Sequence, residues 1–202
     1  MKKLIIASKN KGKIKEFKQL FSKYGVEVIS LFDFEKEPPD VEETGTTFYE
    51  NARLKAEQIA EIVNMPVIAD DSGLQIDALD GRPGVYSARY AGEPTDDIRN
   101  YEKVLNEMSH VPNEDRTARF ICVLALAIPG EETLYKEGVC EGIITTEPKG
   151  MNGFGYDPIF IPNGFTKTMA QLEDNEKNSI SHRYHALEQL ESWLMKHQNK
   201  GE

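Results

Sequence analysis

Apolar and polar positions along this chain switch between two periods. Leu4-Ile5-Ile6-Ala7 is a continuous apolar run of the length a short buried strand needs. Ile14, Phe17, Leu20 and Phe21 then recur at helical spacing between Lys13 and Lys23, which predicts an amphipathic helix ended by Gly25. Val26-Glu27-Val28-Ile29 predicts a second strand. Residues 33–45 are acidic and contain Pro38-Pro39, which predicts loop. Thr47-Phe48-Tyr49-Glu50 has capping-box spacing, and Ala52, Ala56, Ile59, Ala60 and Val63 continue it as a long helix through Val63. Pro66-Val67-Ile68-Ala69 predicts a third short strand, with Asp70-Asp71-Ser72-Gly73 at its carboxyl end.

In the second half, residues 81–94 read as a glycine- and proline-bearing loop, and Thr95 to Met108 as a helix. Arg119 to Ile128 and Thr133 to Thr146 read as long strands joined into a hairpin at Pro129-Gly130. A glycine-rich loop, Gly150 to Asp157, precedes the short strand Ile159-Phe160-Ile161. Helices close the chain, the last beginning at Ser181-His182-Arg183 and carrying Ala186, Leu187, Leu190, Trp193 and Leu194 on one face. Helices that alternate with short strands, followed by a long hairpin, predict an α/β protein with a mixed sheet. A length of 202 residues argues for one domain, or at most two lobes.

Composition narrows the partners. The net charge of −10, from 24 basic and 34 acidic residues, disfavours broad binding to nucleic acid or an anionic membrane. A small anionic substrate is still compatible, because one basic pocket suffices. Cys122 and Cys140 form no C-x-x-C pair, which suits a reducing cytoplasm. The basic start Met1-Lys2-Lys3 is followed by an apolar stretch that ends at Ala7, shorter than a secretory core. No run approaches the roughly 20 apolar residues of a membrane span.

Several segments carry candidate chemistry. Ser8-Lys9-Asn10-Lys11-Gly12-Lys13 lies between the first strand and the first helix, where backbone N–H groups and the helix dipole hold phosphate. It is not a Walker A loop, since its first glycine is missing and Ile14 follows Lys13. It reads either as a phosphate site on Asn10 and Lys13 or as a solvated turn capped by Asn10. Adjacent carboxylates Asp70 and Asp71 repel unless a cation or donors compensate, so they read as a divalent metal site or as an Asp turn with Ser72-Gly73 as its corner. Glu42-Glu43 would add carboxylate to an Mg²⁺ held mainly by water and phosphate. Glycines flanking Phe154 leave its ring either exposed for a base or anchored to the core. His182 and Arg183 can donate to a planar acceptor edge, or lie at a surface helix start.

Together these segments resemble the inosine/xanthosine triphosphate pyrophosphatase family, whose members hydrolyse non-standard purine nucleoside triphosphates. The resemblance runs in order through Ser8 to Lys13, Glu42 to Phe48, Glu50-Asn51-Ala52, Ile68 to Leu74, Pro83 to Tyr90, Gly153 to Phe160 and Ile180 to Arg183. It implies one α/β domain over residues 1–202, an elongated mixed sheet with flanking helices, and two lobes around a central substrate cleft. It implies a homodimer, while the charge and the cysteines carry the expectation of a cytoplasmic protein with no nucleic-acid or membrane partner. It also implies Mg²⁺ and attack of water at the α-phosphorus of ITP, dITP or XTP, which yields the nucleoside monophosphate and pyrophosphate.

Carried over by position, Ser8, Lys9, Asn10, Lys11, Gly12 and Lys13 match the triphosphate loop. Lys55 and Lys177 match further substrate-contacting lysines, and Ser72 a substrate contact. Asp71 matches the catalytic base, and Glu42 with Asp71 the Mg²⁺ site. Phe154, Gly155, Tyr156, Asp157, His182 and Arg183 match the base pocket. Lys9 stands where this family often has glycine, so a positive φ there would be strained. Two rivals differ in outcome. A pyrophosphatase for other modified nucleotides differs in substrate, and a nucleotide sensor would not cleave, a reading that the acidic pair disfavours.

Overall fold

The computed structural model describes residues 3–198, so Met1 and Lys2, read above as a basic start, lie outside the described residues. β1 (Lys3–Ile6) is the expected apolar strand, and Leu4 and Ile5 are fully enclosed. It lies between parallel partners β2 (Glu27–Ser30) and β3 (Val67–Ile76), in the registers Leu4↔Val28 and Ile5↔Val67. A strand paired on both edges and covered on both faces reads as an unbroken apolar run, not as an alternation. The helices α1 (Lys11–Ser22) and α2 (Phe48–Val63) supply the crossovers that parallel strands require. Ile14, Phe17, Leu20 and Phe21 bury one face of α1, as their spacing predicts, and Glu16 is buried among them. Thr47 and Glu50 form the expected capping box of α2: Oγ1 of Thr47 accepts from Glu50 N, and Oε2 of Glu50 accepts from Thr47 N, both at 3.1 Å.

The chain continues through α3 (Asp97–Glu107), β4 (Thr117–Ala127), β5 (Leu134–Ile144) and β6 (Phe160–Pro162). The strand order is β2-β1-β3-β4-β5-β6. β4 and β5 are neighbours joined by residues 128–133, the hairpin predicted at Pro129-Gly130. β6 runs antiparallel to β5, so the sheet is mixed. α4 (Asp174–Ile180), α5 (His182–Glu188) and α6 (Glu191–Gln198) follow.

Two expectations are corrected. The third strand does not stop at Ala69, and the aspartates do not sit at its carboxyl end. β3 runs on to Ile76, with Leu74 and Ile76 fully buried, so Asp70 and Asp71 are inside the strand. An extended backbone sends consecutive side chains to opposite faces, which separates two carboxylates that a turn would crowd. The single closing helix is two helices. Between them Leu190 N donates to Leu187 O at 2.8 Å, a tighter i→i+3 turn that interrupts the 3.6-residue winding.

Two compact units divide the chain. Unit 1 comprises Met1–Asp71, Cys122–Gly138 and Arg183–Glu202, and its core gathers Leu4, Phe17, Phe21, Cys122, Leu124 and Leu187. Unit 2 comprises Ser72–Ile121 and Val139–His182, and its core gathers Leu74, Ile76, Val104, Cys140, Ile159 and Phe160. Both cysteines are free and buried; burial pushes the Cys122 thiol well above its ordinary range and that of Cys140 up to about 12. Among the described residues no helix is long and apolar enough to cross a membrane.

Candidate active site

In unit 1 the turn after β1 is set by its own side chains. Ser8 Oγ accepts from Asn10 N at 3.2 Å, and Asn10 Oδ1 accepts from Lys13 N at 3.1 Å, which caps α1. Lys11 is exposed and Gly12 half-buried in the first helical turn. Lys9 reaches Asp40 Oδ1 at 2.5 Å and Glu37 Oε1 at 2.8 Å, and these hydrogen bonds hold its pKa above the ordinary value. Its backbone carries no left-handed strain: among the described residues the non-glycine positions with positive φ are Asn64 and Asp80.

Lys13 turns inward to Asp70 Oδ2 at 2.9 Å. Arg183 Nε lies 3.5 Å from the same oxygen, and its Nη1 donates to Glu16 Oε2 at 2.7 Å. Burial works against the Asp70 charge, but Lys13, Arg183 and Lys55 outweigh it and hold this carboxyl well below the usual carboxylate range. Burial likewise works against Arg183, and the Glu16 and Asp70 charges more than restore it.

Asp71 has different company. Its Oδ1 accepts from Lys55 Nζ at 3.1 Å and its Oδ2 from Asn51 Nδ2 at 3.3 Å. Here burial wins: it raises the Asp71 pKa, and Lys55 and Lys13 offset only part of the rise. Lys55 also donates to Glu43 Oε1 at 2.9 Å. Desolvation opposes the Lys55 charge, yet Asp71, Glu43 and Asp70 keep its pKa above the ordinary lysine value. Glu42, the expected metal carboxylate, is exposed, while its neighbour Glu43 is the one that reaches Lys55.

The acidic loop is pinned to α2 by Asn51, a fully buried residue whose Oδ1 accepts from Gly45 N at 2.8 Å. A Cβ at residue 45 would come within 2.6 Å of both Asn51 Oδ1 and Glu50 Cβ, so only glycine permits this approach. Sequence reasoning assigned no role to Asn51 or Glu16. Their signal was a polar side chain inside the apolar stripe of a helix.

Among the described residues no group of three His, Cys, Asp or Glu is placed to hold a metal by itself. The donors near Lys55 are a few hard carboxylate oxygens, from Asp71 and Glu43. That set fits Mg²⁺, which takes one or two protein carboxylates and fills its shell with water and phosphate oxygen.

Unit 2 holds the rest of the expected residues. Ser72 is half-buried in β3. Asp157 Oδ2 accepts from Phe154 N at 2.9 Å and from Lys177 Nζ at 2.6 Å. The Lys177 ammonium also stands 4.8 Å from the centre of the half-buried Phe154 ring. Gly153, at φ +77°, makes room for this pair, because a Cβ there would meet Asp157 Oδ2 at 2.0 Å. Gly155 N donates to Asp97 Oδ2 at 2.8 Å, and the buried Tyr156 donates its hydroxyl to Ser87 O at 2.7 Å. His182 stacks on Phe120, with ring centres 4.9 Å apart and planes 13° from parallel. Unit 1 thus presents cations and one proton-hungry carboxylate, and unit 2 an aromatic ring beside an ammonium.

Comparison with known proteins gives a consistent result. A model of the Ham1 family matches residues 4–193. The chain is 64% identical to a dITP/XTP pyrophosphatase of Oceanobacillus iheyensis, over 96% of this chain and 98% of that one. It is 60% identical to a dITP/XTP pyrophosphatase of Halalkalibacterium halodurans, over 96% of this chain and 100% of that one. Among solved structures, a Ham1 protein of Staphylococcus aureus superposes with a TM-score of 0.85 at 47% identity, covering 97% of this chain and 100% of that one. A HAM1 protein from Coxiella burnetii gives 0.86 at 44% identity, with the same coverage.

Proposed function

The chain belongs to the Ham1 family, and from that premise we propose that it hydrolyses non-standard purine nucleoside triphosphates such as dITP, ITP and XTP to the monophosphate and pyrophosphate. The names of relatives up to 64% identical support the substrate class. The observation that carries the chemistry is Asp71, a buried carboxylate whose proton affinity is raised although Lys55 touches it. A base with that property is better matched to neutral pH than an ordinary aspartate.

In this reading Ser8 to Lys13 receive the phosphates, with Lys13 and Lys55 as the cations that place them. Asp71 Oδ2, held by the longer Asn51 contact, takes the proton of the attacking water. The water oxygen bonds to the α-phosphorus, the bond to the bridging oxygen breaks, and pyrophosphate leaves. Asp71 with Glu42 or Glu43 would hold Mg²⁺, which supplies charge neutralisation on the phosphates and acidifies water. Ser72 and Lys177 make further substrate contacts. Phe154, Gly155, Tyr156, Asp157, His182 and Arg183 serve the base. Hypoxanthine and xanthine carry oxygen at C6, where adenine carries an amino group, so donors there disfavour ATP by leaving polar groups unpaired.

A homodimer belongs to the proposal on the resemblance alone, and sedimentation of the purified chain checks it. A cytoplasmic location is supported by two free cysteines. The deciding experiment mixes the chain with ITP and Mg²⁺ and identifies the products. IMP with pyrophosphate supports the proposal; IDP with phosphate, or no product, overturns it.

A further inference from the structure

α3 opens on two aspartates with separate tasks. Asp96 caps the helix, its Oδ1 accepting from Arg99 N at 3.0 Å. Asp97 reaches out of the helix, and its Oδ2 accepts from Gly155 N at 2.8 Å. Further along α3, the buried Asn100 grips the preceding segment, accepting from Ala91 N at 2.7 Å and donating to Ala88 O at 3.0 Å. Tyr156, next to Gly155, donates to Ser87 O at 2.7 Å. Ser87 Oγ in turn accepts from Leu74 N at 2.9 Å and donates to Gly84 O at 2.6 Å. These contacts close a circuit within unit 2, from α3 through Gly155, Tyr156, Ser87 and Ala88 back to α3.

Gly155 is the weak link of that circuit. It sits at φ +62°, and no atom outside its chain neighbours lies within 4 Å of the place a Cβ would take. Nothing packs on that side of the residue, and the Asp97 carboxylate holds its amide. Phe154, one residue earlier, is held from the other side by Asp157 and Lys177.

We infer that Asp97 is a positioning residue for base recognition: it fixes Gly155 so that Phe154 and Asp157 meet the purine in one arrangement. The inference rests on the reading that this loop receives the base. Asp97 touches no substrate and acts through the Gly155 amide. A plain alternative is that its charge merely complements the dipole at the start of α3. The two accounts part at Asp97→Asn, which keeps an oxygen acceptor for Gly155 N and discards the charge.

The test uses Asp97→Ala and Asp97→Asn in the full chain. Asp97→Ala raises KM for ITP about tenfold and leaves kcat within about twofold, as expected when one fixed contact is removed from ground-state binding. Affinity for IMP, followed by amide NMR, weakens by a similar factor. The Gly155 amide signal moves while the rest of the spectrum keeps its folded dispersion. Asp97→Asn restores most of the KM and IMP affinity. Inorganic triphosphate, which carries no base, inhibits wild type and Asp97→Ala alike. Unchanged IMP affinity in Asp97→Ala overturns the inference, as does equal weakening of inorganic triphosphate, or a failure of Asp97→Asn to recover. A wild type that binds IMP yet releases no pyrophosphate sinks the hydrolysis reading instead, and the IMP titration still decides the role of Asp97.

Discussion

Asp70 and Asp71 are consecutive and similarly buried, yet their electrostatic situations are opposite. Asp70 faces Lys13 and Arg183 and is held ionised far into acid. Asp71 faces Lys55 and an uncharged amide, and burial raises its affinity for a proton. The strand makes this possible by sending one carboxylate to each face. Asp70 thus serves as a fixed counter-ion that keeps Lys13 and Arg183 in place, while Asp71 is the carboxylate of the pair on which burial favours the proton. Similar burial does not mean similar chemistry; the charges on each face decide.

The largest way to break this contrast is Asp71→Asn. It lowers kcat for pyrophosphate release from ITP about a thousandfold, the range of a lost general base, with circular dichroism unchanged. Near-wild-type turnover would remove Asp71 from the chemistry. Asp70→Asn has the complementary effect. It takes the counter-charge from the half-buried Lys13 and one of two counter-charges, the other being Glu16, from the buried Arg183, and costs about 3 kcal/mol of stability in urea unfolding; an unchanged midpoint would show that Asp70 is not the counter-ion described.

The pH dependence sharpens the same contrast. The log kcat/KM profile falls on the acid side as Asp71 takes up its proton, at a pH above the ordinary aspartate value. Lys55→Gln removes a charge that lowers this pKa and moves the acid limb to higher pH. Glu43→Gln removes a charge that raises it and moves the limb the other way, by the smaller amount. Limbs that stay put in both variants would mean that another group titrates. For stability the signs are opposite. The depressed Asp70 pKa stabilises the fold above the ordinary aspartate value, and this contribution is lost as pH falls through its folded value. The raised Asp71 pKa contributes stability below the ordinary value, lost as pH rises through its folded value.

Much of the fold was readable because it depended on local rules. The capping box at Thr47 and Glu50, the Asn10 cap and the hairpin at Pro129-Gly130 all involve residues close in sequence. The apolar stripe of α1 gave its buried face directly. What escaped depended on distant partners. β3 continues through its aspartates because Lys13 and Lys55 approach from two other helices, and no local pattern announces that. Glu43 instead of Glu42 meets Lys55 because Asn51 sets how the acidic loop lies on α2. Arg183 finds Glu16 across 167 positions of chain. Asp97 follows Asp96 at the start of α3, and its contact with Gly155, 58 positions away, is what sets it apart from the local cap.

The two cysteines become useful for a different purpose. Each unit encloses one thiol, Cys122 in the first and Cys140 in the second, and burial keeps both protonated and out of reach. An alkylating reagent can modify either only when its surroundings open. The chain therefore carries two built-in clocks, and their labelling rates, read by peptide mass spectrometry, report whether the halves of the molecule breathe together or one at a time.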